Sequence, residues 1–328
     1  MTDIVILNRA ELQQLLTLEV MVPALEKAFI AFADGRSFAY PVVREEVKGH
    51  RGIFGIKSGY LLDEQIIGLK AGGFWLDNPP LGLTAHQSTT VLFDPATGAP
   101  TAVMDGNHIT TVRTAAVGAL AARALSRPES SVAAILGCGV QGTAQAEALC
   151  HVLPIREIRA FDISAANCES FAARFGGRAN LRVILAATAE EAVRVADVVV
   201  TAVGGRQPVL FSDWVRPGAH INAFGTDTRG KIEVETRLFS RETLVVDDMV
   251  QAATMGETQA AVDAGIVPRE GPWTTLGEVL AGRKPGRTRA DEITLFDATG
   301  LAFQDLVAGS LAMKLARDRG MGRFVALS

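Results

Sequence analysis

The stretch SVAAILGCGVQGTAQAEAL, residues 131–149, decides the fold. A short apolar run ends at Gly137. Gly137, Gly139 and Gly142 then fall in the spacing G-x-G-x-x-G, and an Ala-rich helical pattern follows. A strand, a tight glycine turn and a helix N-terminus in that order form the context of a dinucleotide-binding turn. Gly137 permits the turn, Gly139 lets the backbone approach a phosphate, and Gly142 lets the helix pack on the sheet. The free N–H groups of that first helical turn, including those of Val140 and Gln141, and the helix dipole favour a pyrophosphate.

A second apolar run, residues 157–161, ends in Asp162. This acid lies near the roughly 20-residue offset of a ribose-binding carboxylate. It would repel a 2′-phosphate, and no Arg follows in Asp162-Ile163-Ser164-Ala165 to offset that. The expected cofactor is therefore NAD(H) rather than NADP(H). Alternatively, Asp162 or Ser164 caps the following helix.

Working outward, residues 132–136, 158–161, 183–185, 198–202, 220–224, 244–246 and 293–296 read as strands, with amphipathic segments such as 167–174 and 189–195 between several of them. Continuous apolar runs at this spacing predict buried parallel strands with helices on both faces. The first ~125 residues differ, with helix 12–33 followed by strand-like pieces at 42–47, 53–56, 66–70, 89–94 and 100–104. Pro95-Ala96-Thr97-Gly98 reads as a hairpin turn, residues 110–125 as a helix, Arg127-Pro128 as a hinge and 301–317 as a final helix. The fold class is thus α/β, a Rossmann-type doubly wound parallel sheet plus a smaller α+β domain. The expected domains are 1–126, completed by 300–328, for substrate and dimerisation, and 127–299 for the nucleotide.

The bulk numbers agree with such an architecture. The chain has 328 residues, 48 % hydrophobic and 21 % charged, with a net charge of −4. Nothing in that balance points to nucleic acid or an anionic membrane surface. Cys138, Cys150 and Cys168 lack metal-ligand spacing and read as free thiols of a reducing compartment. With no signal peptide and no long apolar span, the expected location is the cytoplasm, and no metal is expected.

Hydride transfer to a small acid requires a cationic clamp and a proton donor or acceptor. Lys70 ends a strand in the glycine-rich Gly68-Leu69-Lys70-Ala71-Gly72-Gly73; Arg113 sits near the start of an apolar helix; Asp227 follows a strand in Phe224-Gly225-Thr226-Asp227; Arg44 ends the stretch Tyr40-Pro41-Val42-Val43. Each has a plainer alternative: a solvated lysine, a structural ion pair, a turn residue and an exposed charged strand. His86 reads more readily as a satisfied polar residue than as a catalyst.

These segments carry a resemblance. TTVLFDPATG (89–98), AVMDGNHITTVRTAAVGALAARAL (102–125), ILGCGVQG (135–142) and PGAHINAFGTDTRGK (217–231) are similar to the ornithine cyclodeaminase/mu-crystallin family, from about Arg44 to the final helix. The resemblance implies a Rossmann domain plus a smaller domain that pairs sheets across a homodimer. It implies that Lys70 and Arg113 bind a substrate carboxylate and that Asp227 handles a proton or amino group. It places Asp162, Thr201 and Lys231 near the dinucleotide, along with Arg113, Ala202, Val203, Phe224, Gly225 and Thr226.

Two departures from the family pattern narrow the reading. Mu-crystallin-like members carry Asn-Arg-Thr where this chain has Asp162-Ile163-Ser164, which supports NAD(H). Many members carry Met-Pro where this chain has Gly55-Ile56-Lys57-Ser58-Gly59. Lys57 either meets a second substrate carboxylate or pairs with a local acid such as Asp63 or Glu64. YPVVRE, GIKSG and HQST resemble the iminosuccinate reductase branch, although aligning Arg44 with mu-crystallin requires a gap. The expectation is NADH-dependent reduction of iminosuccinate to aspartate, with Arg113 and Lys70 on one carboxylate and Lys57 with Arg44 or His86 on the other. Alternatives are a cyclic ketimine reductase acting on pyrroline- or piperideine-2-carboxylate, an ornithine cyclodeaminase, an alanine dehydrogenase, or a non-enzymatic binding protein.

Overall fold

The computed structural model describes residues 3–326. The chain runs β1 (Ile4–Leu7), α1 (Arg9–Leu15), α2 (Leu18–Ala33), β2 (Ser37–Ala39), β3 (Val43–Val47), β4 (Gly52–Leu61), β5 (Ile66–Trp75), β6 (His86–Phe93), β7 (Pro100–Asp105) and α3 (Gly106–Leu125). It continues through β8 (Val132–Leu136), α4 (Val140–Val152), β9 (Glu157–Phe161), α5 (Ala165–Phe175), β10 (Arg182–Leu185), α6 (Ala189–Val193), β11 (Val198–Thr201), β12 (Arg206–Leu210), β13 (His220–Ala223) and β14 (Ile232–Val234). It closes with β15 (Glu242–Val246), α7 (Met249–Thr254), α8 (Thr258–Asp263), β16 (Thr274–Thr275), α9 (Leu276–Leu280), β17 (Ile293–Asp297), α10 (Ala302–Arg319) and β18 (Arg323–Val325).

Two compact units result, one of residues up to Arg113 together with those from Leu301 on, the other from Thr114 to Gly300. The division falls inside α3. Arg127 belongs to the second unit, where it meets Asp197 at 2.5 Å.

The second unit is a parallel sheet in the order β10-β9-β8-β11-β13-β17-β15-β16. Its central strands β8, β11, β13 and β17 are buried on both faces, which is why β8 and β11 read as continuous apolar runs. Along β8, Ala133 and Ile135 join one core with Leu149, Phe171 and Phe175, while Ala134 and Leu136 join another with Val199, Ile221 and Leu295. Strand order reverses between β8 and β11, so the crevice outside their carboxyl ends is the switch point where ligands of open α/β sheets bind.

In the first unit the sheet runs β18-β1-β7-β6-β5-β4-β2, with β3 also on β4. It is antiparallel except for β1 beside β7. Asp94 to Ala99 closes the expected hairpin turn, with Gly98 at φ +72°. α10 packs on β4, β5 and α2, seating Phe303 edge-on against Phe29 at 5.1 Å.

Two local readings are corrected and one is extended. Helix 12–33 is two helices: Asn8 and Glu11 form a capping box for α1, Leu16 and Thr17 turn extended, and the Leu16 carbonyl accepts from His108 Nε2 at 3.3 Å. The final helix ends at Gly320 in the left-handed conformation, and an edge strand follows. Lys70 does not end a strand, because β5 runs on to Trp75. The glycines after it are close-packed strand residues: a Cβ at Gly73 would lie 1.8 Å from the Ile53 carbonyl oxygen, and one at Gly72 2.2 Å from that of Gln87.

Candidate active site

Strand register gathers several of the candidates in the first unit. Arg44 pairs with Gly55, Lys57 with Lys70, Lys70 with Thr90, and Phe74 with His86. Directly paired residues share a face and so do residues two apart, so Arg44, Lys57, Lys70, His86, Ser88 and Thr90 all point to one side of the sheet. Lys57 and Lys70 are only 7 % and 8 % exposed. Two ammonium groups directly opposite one another repel and require an anion.

That anion is Asp305 on α10, a residue not singled out in the sequence. Its carboxylate is fully buried, with Lys70 Nζ at 3.3 Å from one oxygen and Arg113 Nε at 3.3 Å from the other. Burial alone would raise its carboxyl. The Lys70, Arg113 and Lys57 cations outweigh that and hold it below the usual carboxylate range. Gln304 accepts from Arg113 Nη1 at 2.8 Å, and Lys70 Nζ donates to Thr110 Oγ1 at 3.1 Å. Asp63, offered above as a partner for Lys57, instead pairs with Arg36. The signal for Asp305 was a lone acid in the run AFQDLVAG, where Gln304 is the one other polar side chain.

His86 enters as a neutral ring. Burial and the nearby Lys70 lower its pKa to about 4, and Nδ1 lies 3.0 Å from Asn107 Oδ1. With Asn107 accepting, Nδ1 carries the proton and Nε2 is left as an acceptor. His86 is in this respect the satisfied polar residue of the plainer reading.

In the second unit the glycine turn has the geometry a dinucleotide needs. Gly137 adopts φ +98° and packs so closely that a Cβ would lie 2.7 Å from the Ala202 carbonyl oxygen. A Cβ on Gly142 would meet the Gly137 oxygen at 1.7 Å, whereas one on Gly139 would meet nothing within 4 Å. Gly139 is the N-cap of α4, whose first turn is capped by no side chain, and Val140 beside it is exposed. Two buried polar atoms near this crevice, Thr201 Oγ1 and Gln141 Oε1, lack a hydrogen-bond partner. Open space over Gly139 and these unsatisfied atoms fit a polar, phosphate-bearing ligand.

Asp162 follows β9 and accepts from the Cys138 N–H at 2.8 Å, the Ser164 N–H at 2.8 Å and the Asn167 amide at 3.1 Å. Ser164, not Asp162, caps α5. Asp227 holds Lys231 Nζ at 2.8 Å and the Thr228 hydroxyl at 3.1 Å, joining two candidates in one ion pair.

The loops after β11 and β13 are held by a row of buried acids that sequence reasoning missed. Glu233 accepts the N–H groups of Val203 and Gly204 on one oxygen and of Gly225 on the other, at 2.5–3.0 Å. Glu257 accepts the N–H groups of Glu233 and Val234 at 2.7 Å and the Thr226 hydroxyl. Asp297 accepts the N–H groups of Glu257 and Thr258, and Asp247 those of Asp248, Thr299 and Gly300. Burial and Glu233 raise the Glu257 carboxyl to about 8; burial and Asp297 raise Asp247 to about 7; burial raises Asp297 to about 6. Among the described residues no group of three or more His, Cys, Asp or Glu is arranged to hold a metal ion, and no helix is long and apolar enough to cross a membrane.

A doubly wound sheet with a dinucleotide-type turn, joined in one chain to a unit with buried cations, defines a class of nucleotide-dependent oxidoreductases. The sequence model of the ornithine cyclodeaminase/mu-crystallin family matches residues 2–319, and the chain belongs to that family. An archaeal alanine dehydrogenase dimer solved with bound NAD is similar at 35 % identity and a TM-score of 0.94, covering all of both chains. The Δ1-pyrroline-2-carboxylate reductase of Thermococcus litoralis, solved with NADH and L-proline, shares 30 % identity at a TM-score of 0.94, covering 98 % of this chain and 100 % of that one. The iminosuccinate reductase of Paracoccus denitrificans, solved with NAD+, shares 32 % identity at a TM-score of 0.90, covering 99 % and 100 %.

Proposed function

We propose that this protein is an NADH-dependent reductase of a small α-imino acid, and that iminosuccinate, reduced to aspartate, is the substrate its site suits best. The observation that carries the choice is Lys57, buried directly opposite Lys70 on the face that also bears Arg44. Arg113 and Lys70 take the α-carboxylate, and Lys57 with Arg44 takes the second. The reaction consumes one imine, one hydride and one proton. When bound, NADH supplies the hydride to the imine carbon. The imine nitrogen must be protonated for that carbon to accept it; the groups assigned to this are Asp227, to steady the resulting iminium, or a protonated Lys70, to supply the proton. Val140, Gln141, Thr201, Ala202, Val203, Phe224, Gly225, Thr226, Lys231 and Arg113 join the glycines and Asp162 in the set assigned to the cofactor.

The test is NADH oxidation with iminosuccinate, with pyrroline-2-carboxylate and with pyruvate plus ammonia, beside ammonia release from ornithine with NAD+. Rapid turnover of the cyclic imine without any of iminosuccinate would overturn the choice. Charge-assisted bonds to a carboxylate contribute about 1.5–3 kcal/mol each. Lys57→Met is therefore expected to lower kcat/KM for iminosuccinate about ten- to a hundredfold while leaving a monocarboxylate imine nearly unaffected. For the cyclic imine reductase reading, supported by the likeness to the T. litoralis enzyme, the same substitution is nearly harmless with the preferred substrate.

Asp162 sets the cofactor in this reading. Asp162→Ala is expected to weaken NADH roughly tenfold and to narrow the preference over NADPH. The ratio of the two kcat/KM values is the readout, since disturbance of the turn lowers both alike. A wild-type preference for NADPH would defeat the argument. The proposed assembly is a homodimer, consistent with the dimeric archaeal relative and with the exposed Phe38, Tyr40, Val43 and Phe54 of the first unit.

A further inference from the structure

We propose that Asp305 is a positioning residue that keeps Lys70 an ammonium ion and aims it, with Arg113, at the substrate's carboxylate. The proposal rests on reading this face of the first unit as the imino-acid site. The geometry is specific: each Asp305 oxygen faces a different cation, Lys70 Nζ from β5 and Arg113 Nε from α3, both at 3.3 Å. Gln304, its neighbour on α10, takes a second guanidinium nitrogen of Arg113 at 2.8 Å, which fixes the plane of the fork. Thr110 takes Lys70 Nζ at 3.1 Å, which fixes the ammonium.

The charges around Lys70 explain why a resident anion is needed there. Lys57 on β4 lies directly opposite, Arg113 approaches from α3, Arg44 on β3 shares the face, and His86 on β6 is neutral. In a buried setting among like charges, a lysine loses its proton readily unless a carboxylate stands beside it. A neutral Lys70 would still fit the space, but it would no longer attract a carboxylate. Asp305 thus gives the site its charge without touching the reacting atoms.

The experiment is calorimetric binding of pyruvate and of succinate to the NADH-loaded protein across pH 6–10, which requires no turnover. In the wild type, binding is expected to persist into the alkaline part of this range. In Asp305→Asn, the pH at which binding fails is expected to fall by roughly two units, while Asp305→Glu restores it. A purely structural ion pair would weaken binding equally at every pH, and an unchanged midpoint in Asp305→Asn overturns the proposal. If Asp305→Asn does not fold, the wild-type profile decides: loss of binding with a midpoint of 7–8, absent in Lys70→Met, overturns it. Pyruvate binding without succinate binding counts against the dicarboxylate substrate alone, because the Asp305 comparison then runs on pyruvate. A wild type that binds neither overturns the carboxylate reading and this proposal with it.

Discussion

Lys70→Met is expected to lower kcat/KM for the imino acid by 10²- to 10⁴-fold while leaving NADH affinity, read by fluorescence titration, close to wild type. Two losses combine. The substrate carboxylate loses one charge-assisted partner outright, at about 1.5–3 kcal/mol. Asp305 loses one of its two close cations, so Arg113 shifts toward a carboxylate it formerly shared, and its aim at the ligand is spoiled. Removing one member of a buried ion group costs about 3–5 kcal/mol because a charge is left behind. The thermal midpoint should therefore fall as well, and the separation of a large kinetic loss from intact NADH binding is the informative result. Lys70→Arg is not a conservative rescue, since a planar fork cannot replace a point charge in the slot beside Thr110. Near-wild-type turnover in Lys70→Met would remove this residue from the site.

The last two glycines of the turn are expected to fail in opposite ways. In Gly142→Ala the new methyl lies 1.7 Å from the Gly137 carbonyl oxygen, a contact that only backbone movement relieves. Overpacking of this kind costs about 1–3 kcal/mol. For a unit of this size that is roughly 2–12 °C in thermal midpoint, with NADH binding lost because the turn is displaced. In Gly139→Ala the methyl meets nothing within 4 Å, so the protein should fold with at most a small capping loss. Its NADH affinity should nonetheless fall more than a hundredfold, because the methyl fills the space over the helix N-terminus where a phosphate would rest. Circular dichroism melting and fluorescence titration of both variants check this. Undiminished binding in Gly139→Ala would show that the phosphates lie elsewhere.

Much of the nucleotide unit was legible because its signals are local. The apolar runs of β8 and β11 are continuous where a strand is covered on both faces, and glycines mark the turn. The first unit was harder for the opposite reason. Gly72 and Gly73 read as punctuation in sequence, yet they are strand residues whose meaning depends on how closely β4 and β6 approach. Lys57 was noticed as an oddity, but its partnership with Lys70 is a fact of register, which no single strand reveals. Asp305 lies 192 residues from Arg113, and only the return of the final helix to the first unit brings it to the cations. Glu233, Glu257, Asp247 and Asp297 were invisible because most of their partners are backbone amides, which leave no trace in composition.

Those four acids give the carboxyl edge of the nucleotide sheet a property that none of its loops has alone. Glu257 grips the backbone of Glu233, and Asp297 grips the backbone of Glu257. Asp247 and Asp297 are joined in turn through the Asp247 N–H and the Asp297 carbonyl. Restraint is thus transmitted link by link, from the end of β17 to the amides of Val203 and Gly204. Freeing one carboxylate strands two or three buried donors at once, so slack cannot stay local. The edge is rigged like a chain under tension: its far end is only as still as every link before it, and a lesion at Asp297 would be felt at Val203.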